Sequence, residues 1–328
     1  MSPLLIYGAT GYTGHIISER AKSIGLDFAI AGRTESTLKD LASRLQVPYY
    51  VSDLHENSIL DSILKDTLVI LNCAGPYLPT AKPLLEACIR SGTHYLDISA
   101  EIASYQQAQQ YDEAAQQAGI MLLPGCGGSV AMLGCLASHV INQVKSPKTI
   151  DIALHVAGSM SRGSAISASN MKDGCLQLID GRLVEQDTNK TADFDFDDGN
   201  GSVASFPVTL PDLLTISKSS HIANIRTFAH ASGNSFSTGD IALLPDGPST
   251  AERDASPYHA AAIVTSEEGI THRAVLHTLN GYTFTCLASV EAARRVLRNE
   301  MGKGFQTPVA IFGKEFLHAI PMTQIKDF

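Results

Sequence analysis

The chain of 328 residues contains no tryptophan, aromatic side chains make up only 6% of it, and charged side chains only 17%. Basic residues are the scarcer charge: 24 Lys and Arg stand against 33 Asp and Glu, a formal net charge of −9. No basic stripe is available to neutralise a phosphate backbone or an anionic bilayer, so a nucleic-acid partner is not expected and a small solvated substrate is. The six cysteines, at 73, 88, 126, 135, 175 and 286, form no C-x-x-C pair and no Cys/His ligand spacing. That argues against a disulfide framework and a structural zinc site, and for free thiols in a reducing compartment. The eleven histidines show no metal spacing either, so no metal is expected and most are read as surface or core residues.

Long uninterrupted hydrophobic runs are missing as well. Residues 119–141 carry no Asp, Glu, Lys or Arg, yet Pro124, Gly125, Gly127 and Gly128 interrupt them. A spanning helix would hold four breakers, so a buried strand, a turn and a core helix are expected instead of a membrane span. The first residues run directly into an apolar stretch with no charged leader or cleavage site, and the expected location is cytoplasmic.

What is present is a repeat. Hydrophobic residues are 44% of the chain, enough for two packed units. Short apolar runs at 4–8, 27–32, 48–52, 68–73, 93–98 and 120–124 alternate with amphipathic stretches such as 35–45, where Leu38, Leu41 and Leu45 share one face. Each helix joins two buried strands, which predicts a parallel sheet covered on both faces. After Lys145 the rhythm changes: 149–157 alternates like a half-exposed strand, and 258–278 reads as a hairpin turning at 267–269. The expected architecture is α/β, a Rossmann-type doubly wound parallel sheet over 1–145, followed by an α+β domain with a mixed or antiparallel sheet over 146–280. Residues 281–328 would form a C-terminal helix, over 282–298, and a strand, over 309–312, returning towards the first domain. The acidic stretch 192–201, ADFDFDDGNG, lacks the register of a calcium loop and reads as a solvated loop.

Gly8, Gly11 and Gly14, spaced G-x-x-G-x-x-G, follow the first strand and open a helix. They supply a tight turn, close approach of backbone N–H groups to a pyrophosphate, and close packing of helix on strand. The turn Ala9, Thr10, Tyr12 and Thr13 fills the same loop, and the helix N-terminus adds partial positive charge for an anion. The second strand ends in Arg33 and Thr34, where an NAD site carries an acidic residue. A guanidinium can fork onto a ribose 2′-phosphate, so NADP(H) is favoured with NAD(H) as the alternative; otherwise Arg33 caps the next helix. Asp53, after the third strand, either meets the adenine edge or caps a helix.

The loop after the fourth strand, Cys73, Ala74, Gly75 and Pro76, should lie along the ribose and nicotinamide, with Tyr77 as proton donor or wall. Asp97 and Ser99, ending the fifth strand near Glu101, are candidates for orienting substrate, or Asp97 for pairing with a neighbouring turn. Cys126, in a second glycine-rich turn, reads as a thiol nucleophile or as a small residue, and Ser129 as the N-cap of the helix that follows. Arg162, between Ser161 and Gly163 at a helix start, is placed to hold an acidic group of a substrate.

The runs YGATGYTG, AGRTESTL, NCAGPY, THYLDISAE, PGCGGSVAMLG, SRGSAISA and GFQTPVAIFGKEFL resemble, in this order, the saccharopine dehydrogenase-like oxidoreductase family, a group that includes saccharopine reductases and trans-acting enoyl reductases. The resemblance implies a nicotinamide-binding Rossmann domain, an inserted α/β domain for substrate or dimer contacts, and a crevice between them. It implies that residues 9–13 form the pyrophosphate turn, that Arg33 binds the 2′-phosphate and Asp53 the adenine, and that 73–76 and 97–99 line the nicotinamide end. One run departs from the family: the turn G-F-D-S-V-P-S-D is here residues 125–132, without either acidic position, which implies a less polar substrate. The expected function is NADPH-dependent reduction of a C=N, activated C=C or C=O bond of a small metabolite. The alternatives are an isomerase or cyclase, or a cofactor-sensing protein, on the same scaffold, and a homodimer through the second domain is compatible with an antiparallel sheet there.

Overall fold

The computed structural model describes residues 2–54, 56–170, 174–233, 235 and 240–328. The chain forms two compact units, one of Met1–Gly128 with Thr285–Ile311 and one of Ser129–Phe284 with Phe312–Phe328.

In the first unit, β1 (Leu4–Tyr7), β2 (Phe28–Gly32), β3 (Tyr49–Val51), β4 (Val69–Asn72), β5 (His94–Asp97) and β6 (Met121–Leu123) fall inside the six apolar runs. They pair in parallel in the order β6-β5-β4-β1-β2-β3, with helices in the connections. All but the edge strand β3 are buried along their whole length, which is why they read as continuous apolar runs instead of alternating ones. The order reverses between β1 and β4, so the loops leaving these two strands open side by side, the position where ligands bind in such sheets. The helix Glu35–Leu45 buries Leu38, Leu41, Ala42 and Leu45, the face its spacing predicts.

Two expectations about the C-terminal segment change. The strand that joins this sheet, beside β6, is Gly304–Phe305, and residues expected as a strand at 309–312 lie in the helix Pro308–Phe312. Proline at the first helical position has no N–H to lose, and Thr307 Oγ1 accepts from Ala310 N at 3.3 Å, so the start of a helix is favoured there.

The second unit holds β7 (Pro147–Ala157), β8 (Cys175–Ile179), β9 (Arg182–Gln186), β10 (Ala192–Asp195), β11 (Ser202–Pro207), β12 (Asn224–Ser232), β13 (Tyr258–Ser266) and β14 (Thr271–Thr278). With Gly304–Phe305 counted as β15 in the first unit, Gln324–Asp327 is β16. The path is β10-β11-β12-β7-β13-β14-β16, with β8 paired to β12 and β9 to β8. β12 and β7 run parallel while their other neighbours run antiparallel, so the sheet is mixed. The stretch 192–201 is not simply a solvated loop: Phe194 and Phe196 are buried with Ala153, Phe228, Ala261 and Val275 against one face of this sheet. Residues 119–141 form β6, a turn and the helix Gly128–Ile141, and no described helix is long and apolar enough to cross a membrane.

Candidate functional site

The backbone after β1 turns at Gly8, with φ +78°, and continues into the helix Tyr12–Ser23. A Cβ on Gly8 would lie 2.7 Å from Ala74 N, and one on Gly14 would collide with the Gly8 carbonyl oxygen, so side chains are forbidden at both. Gly11 is exposed, and a Cβ there would meet only Gly8 O, at 3.5 Å. Bare backbone is therefore open to a ligand at the N-terminus of a helix that has no side-chain cap, where the first-turn amides find no carbonyl within the helix. Ala9 is buried, Thr10 exposed, and Tyr12 and Thr13 half-buried along this turn. The cradle fits the pyrophosphate of a dinucleotide.

Arg33 and Thr34 are exposed at the end of β2, and Asp53 is exposed past β3. Thr34, not Arg33, occupies the N-cap of the helix Glu35–Leu45, and it makes no side-chain cap bond. Likewise Glu56, not Asp53, precedes the helix Asn57–Leu64. The Tyr7 hydroxyl donates to Ser52 O at 3.1 Å, and burial pushes it up to about 12, with Arg33 pulling it down and Asp53 raising it. Both charges thus act on the one phenol of Tyr7.

The loop after β4 is tied down by a buried chain of hydrogen bonds. Ala74 N donates to Asn72 Oδ1 at 3.0 Å, Asn72 Nδ2 donates to Tyr95 Oη at 3.2 Å, and Tyr95 Oη donates to Asp97 Oδ2 at 2.8 Å. Asp97 Oδ1 accepts from Ser99 N at 2.9 Å, Ser99 Oγ at 2.8 Å and Gly125 N at 2.8 Å. Asp97 and Ser99 are 1% and 2% exposed, and burial holds the Asp97 carboxyl above its usual range against the pull of these donors. The carboxyl that the strand pattern offers to a substrate is thus engaged by its own protein, pinning the turn after β6 to the end of β5. Asn72 and Tyr95 are missed by sequence reasoning, although Tyr95 lies two residues before Asp97 on the same face of the strand. Tyr95→Phe removes the hydroxyl that joins Asn72 Nδ2 to Asp97 Oδ2; we expect a loss of about 1–3 kcal/mol, read as a lower urea midpoint, and an unchanged midpoint would contradict this network.

Cys73 is buried, Ala74 and Pro76 are half-buried and Gly75 is exposed, so the loop presents small surfaces at the switch point. Tyr77 begins the helix Tyr77–Ser91, whose N-terminus is capped from outside: Glu101 accepts from Tyr77 N at 3.0 Å and Leu78 N at 3.2 Å. Burial drives the Tyr77 phenol well above its usual range, so it is a poor acid. Cys126 is fully buried and its thiol is likewise pushed up, first by burial and then by Asp97, which keeps it protonated and without nucleophilic character. Ser129 is not the N-cap: the helix begins at Gly128, placing Ser129 in the first turn. Gly127 lets another helix come close, since a Cβ there would stand 2.8 Å from Thr285 O.

Arg162, in the second unit, begins the helix Arg162–Asn170. Its guanidinium donates to Leu244 O at 2.9 and 2.6 Å and pairs with Asp246 at 3.2 Å, so it fastens the 244–246 segment.

Residues 4–123 match the family model described as Saccharopine dehydrogenase NADP binding domain. The human saccharopine dehydrogenase-like oxidoreductase is 28% identical over 144 residues, covering 38% of this chain and 34% of that protein. The trans-acting enoyl reductase of Mycobacterium leprae (strain TN) is 28% identical over 132 residues, covering 38% of this chain and 32% of that protein. The chain spans about a third of the length of these curated relatives. Among solved structures, the apo saccharopine dehydrogenase (L-Glu forming) of Saccharomyces cerevisiae matches with a TM-score of 0.70 and 13% identity, covering 100% of both chains, a likeness of fold. Residues 4–123 are thus similar to a saccharopine dehydrogenase NADP binding domain, over somewhat more than a third of the chain.

Proposed function

We propose that the chain is an NADPH-dependent reductase acting on a C=N, activated C=C or C=O bond of a small metabolite bound beside the loop 73–76. The observation that carries this reading is the glycine cradle at Gly8, Gly11 and Gly14, with Gly8 packed against Ala74 of the small-residue loop and Arg33 and Asp53 exposed just past β2 and β3. Gly8 to Gly14 would hold the pyrophosphate, Arg33 and Thr34 the 2′-phosphate, and Asp53 the adenine. The dinucleotide, when bound, supplies the hydride. Residues 73–76 would set the approach of the substrate to that hydride, with Tyr77 as a wall. Reduction also needs a proton. Tyr77 and Cys126 hold theirs too tightly at neutral pH, and Asp97 is locked among four donors, so Asp97 acts here as a positioning residue and the proton comes from water. Six free cysteines fit a cytosolic location.

The test is fluorescence titration of NADPH with the protein, followed by oxidation assays over imines, enones and aldehydes. Saturable binding and consumption with one of these classes is the expected result. Failure to bind NADPH would overturn the proposal, and tight binding without consumption would favour an isomerase or a sensor.

A further inference from the structure

Four histidines from distant parts of the chain fall in register across four neighbouring strands of the second unit. His230 on β12 pairs with His155 on β7, His155 with His259 on β13, and His259 with His277 on β14. One rung away on the same face stand Phe228, Ala153, Ala261 and Val275, an apolar core. Imidazoles continuing such a face cost desolvation and call for a compensating partner. The acidic stretch after β10 provides carboxylates: Asp198 Oδ2 lies 3.2 Å from His155 Nδ1, and Asp197 Oδ2 lies 3.0 Å from His277 Nε2.

We propose that His155, Asp198 and His259 bind a divalent transition metal ion, with zinc the best match to the donor set. One ligand atom from each lies within 4.8 Å of the others. His155 is 6% exposed; its Nε2 is 2.8 Å from Ser232 Oγ, while its Nδ1 makes no hydrogen bond although a carboxylate oxygen stands beside it. The nitrogen and the carboxylate oxygen face each other at 3.2 Å. Their separation is close to the ~3.3 Å edge of a tetrahedron with zinc-ligand bonds near 2 Å.

Each ligand ring is also anchored through its other nitrogen. His155 is held by Ser232, and His259 Nδ1 is 3.0 Å from His277 Nδ1, leaving Nε2 to coordinate. His277 in turn reaches Asp197, which Lys326 also holds at 2.6 Å. A carboxylate behind a histidine behind a ligand is the outer support that orients metal-bound imidazoles. Two histidines and one carboxylate leave a fourth position on zinc for water or a substrate atom.

The untagged full-length protein, stripped with chelator and titrated with zinc against a chromogenic competitor, should bind one equivalent. Asp198→Asn and His259→Gln should each weaken zinc more than His277→Gln, whose loss of outer support costs about 10–100-fold. NADPH affinity should stay the same in all three and reports their folding. Cobalt in the wild-type protein should give the intense visible absorption of four-coordinate Co2+, a readout that needs no variant. No saturable zinc or cobalt binding, an octahedral cobalt spectrum, or one-equivalent binding that Asp198→Asn leaves unchanged would overturn the proposal.

Discussion

Arg33→Asp should lower the affinity for NADPH by about two orders of magnitude and raise that for NADH by about tenfold. The guanidinium stands exposed at the end of β2, next to a helix whose N-cap is Thr34. Charge-assisted hydrogen bonds to a phosphate are worth about 1.5–3 kcal/mol each, and a carboxylate in their place repels the same group. A net loss of about 3 kcal/mol corresponds to roughly a hundredfold. For NADH the sign inverts, because a carboxylate accepts from the ribose 2′-hydroxyl. Added salt should weaken NADPH binding more in the wild type than in the variant, since only the wild type uses that ion pair. Fluorescence titration with both dinucleotides measures all of this, and an NADPH affinity indifferent to the substitution would remove Arg33 from the cofactor site.

The residues in that prediction were legible because their signals are local. Gly8, Gly11, Gly14 and Arg33 sit within the first βα turn and the end of the next strand, and a parallel strand buried on both faces is a plain apolar run. Asp97 shows where locality fails. Alternation along β5 identifies it as buried, but its partner Gly125 comes from another strand end, and Asn72 reaches it only through Tyr95. A carboxyl waiting for a substrate and a carboxyl bonded to its own fold have the same sequence.

The second unit was harder for the same reason. The hairpin 258–278 is contiguous and readable, but the parallel pairing of β12 with β7 joins segments separated by four other strands. Spacing along the chain finds metal sites built on one helix or loop, and His155, His230, His259 and His277 meet only through strand register. Alternation of Asp with Phe in 192–196 did carry a signal: Phe194 and Phe196 turn to the core, a strand's period inside a stretch dominated by its charge.

Asp212→Asn should reverse part of the protein's dependence on pH. Asp212 opens the helix Asp212–Ser220 with no exposed surface, and neither carboxyl oxygen has a hydrogen-bond partner among the described residues. Burial raises its pKa from 3.8 to about 7. Between those values the folded protein keeps a proton that the unfolded chain has released, so folding takes up a proton and stability falls as pH rises. At 1.36 kcal/mol per unit, the loss between pH 4 and pH 8 amounts to about 4 kcal/mol, complete once pH exceeds the folded value. Asparagine cannot ionise, so the variant's stability minus that of the wild type should rise by about this amount over the interval. Whatever constant cost the amide carries is common to every pH and drops out of the comparison. Urea unfolding of both proteins from pH 4 to 8 measures the difference directly; a flat difference would mean that Asp212 stays charged in the fold, with a partner that stabilises it.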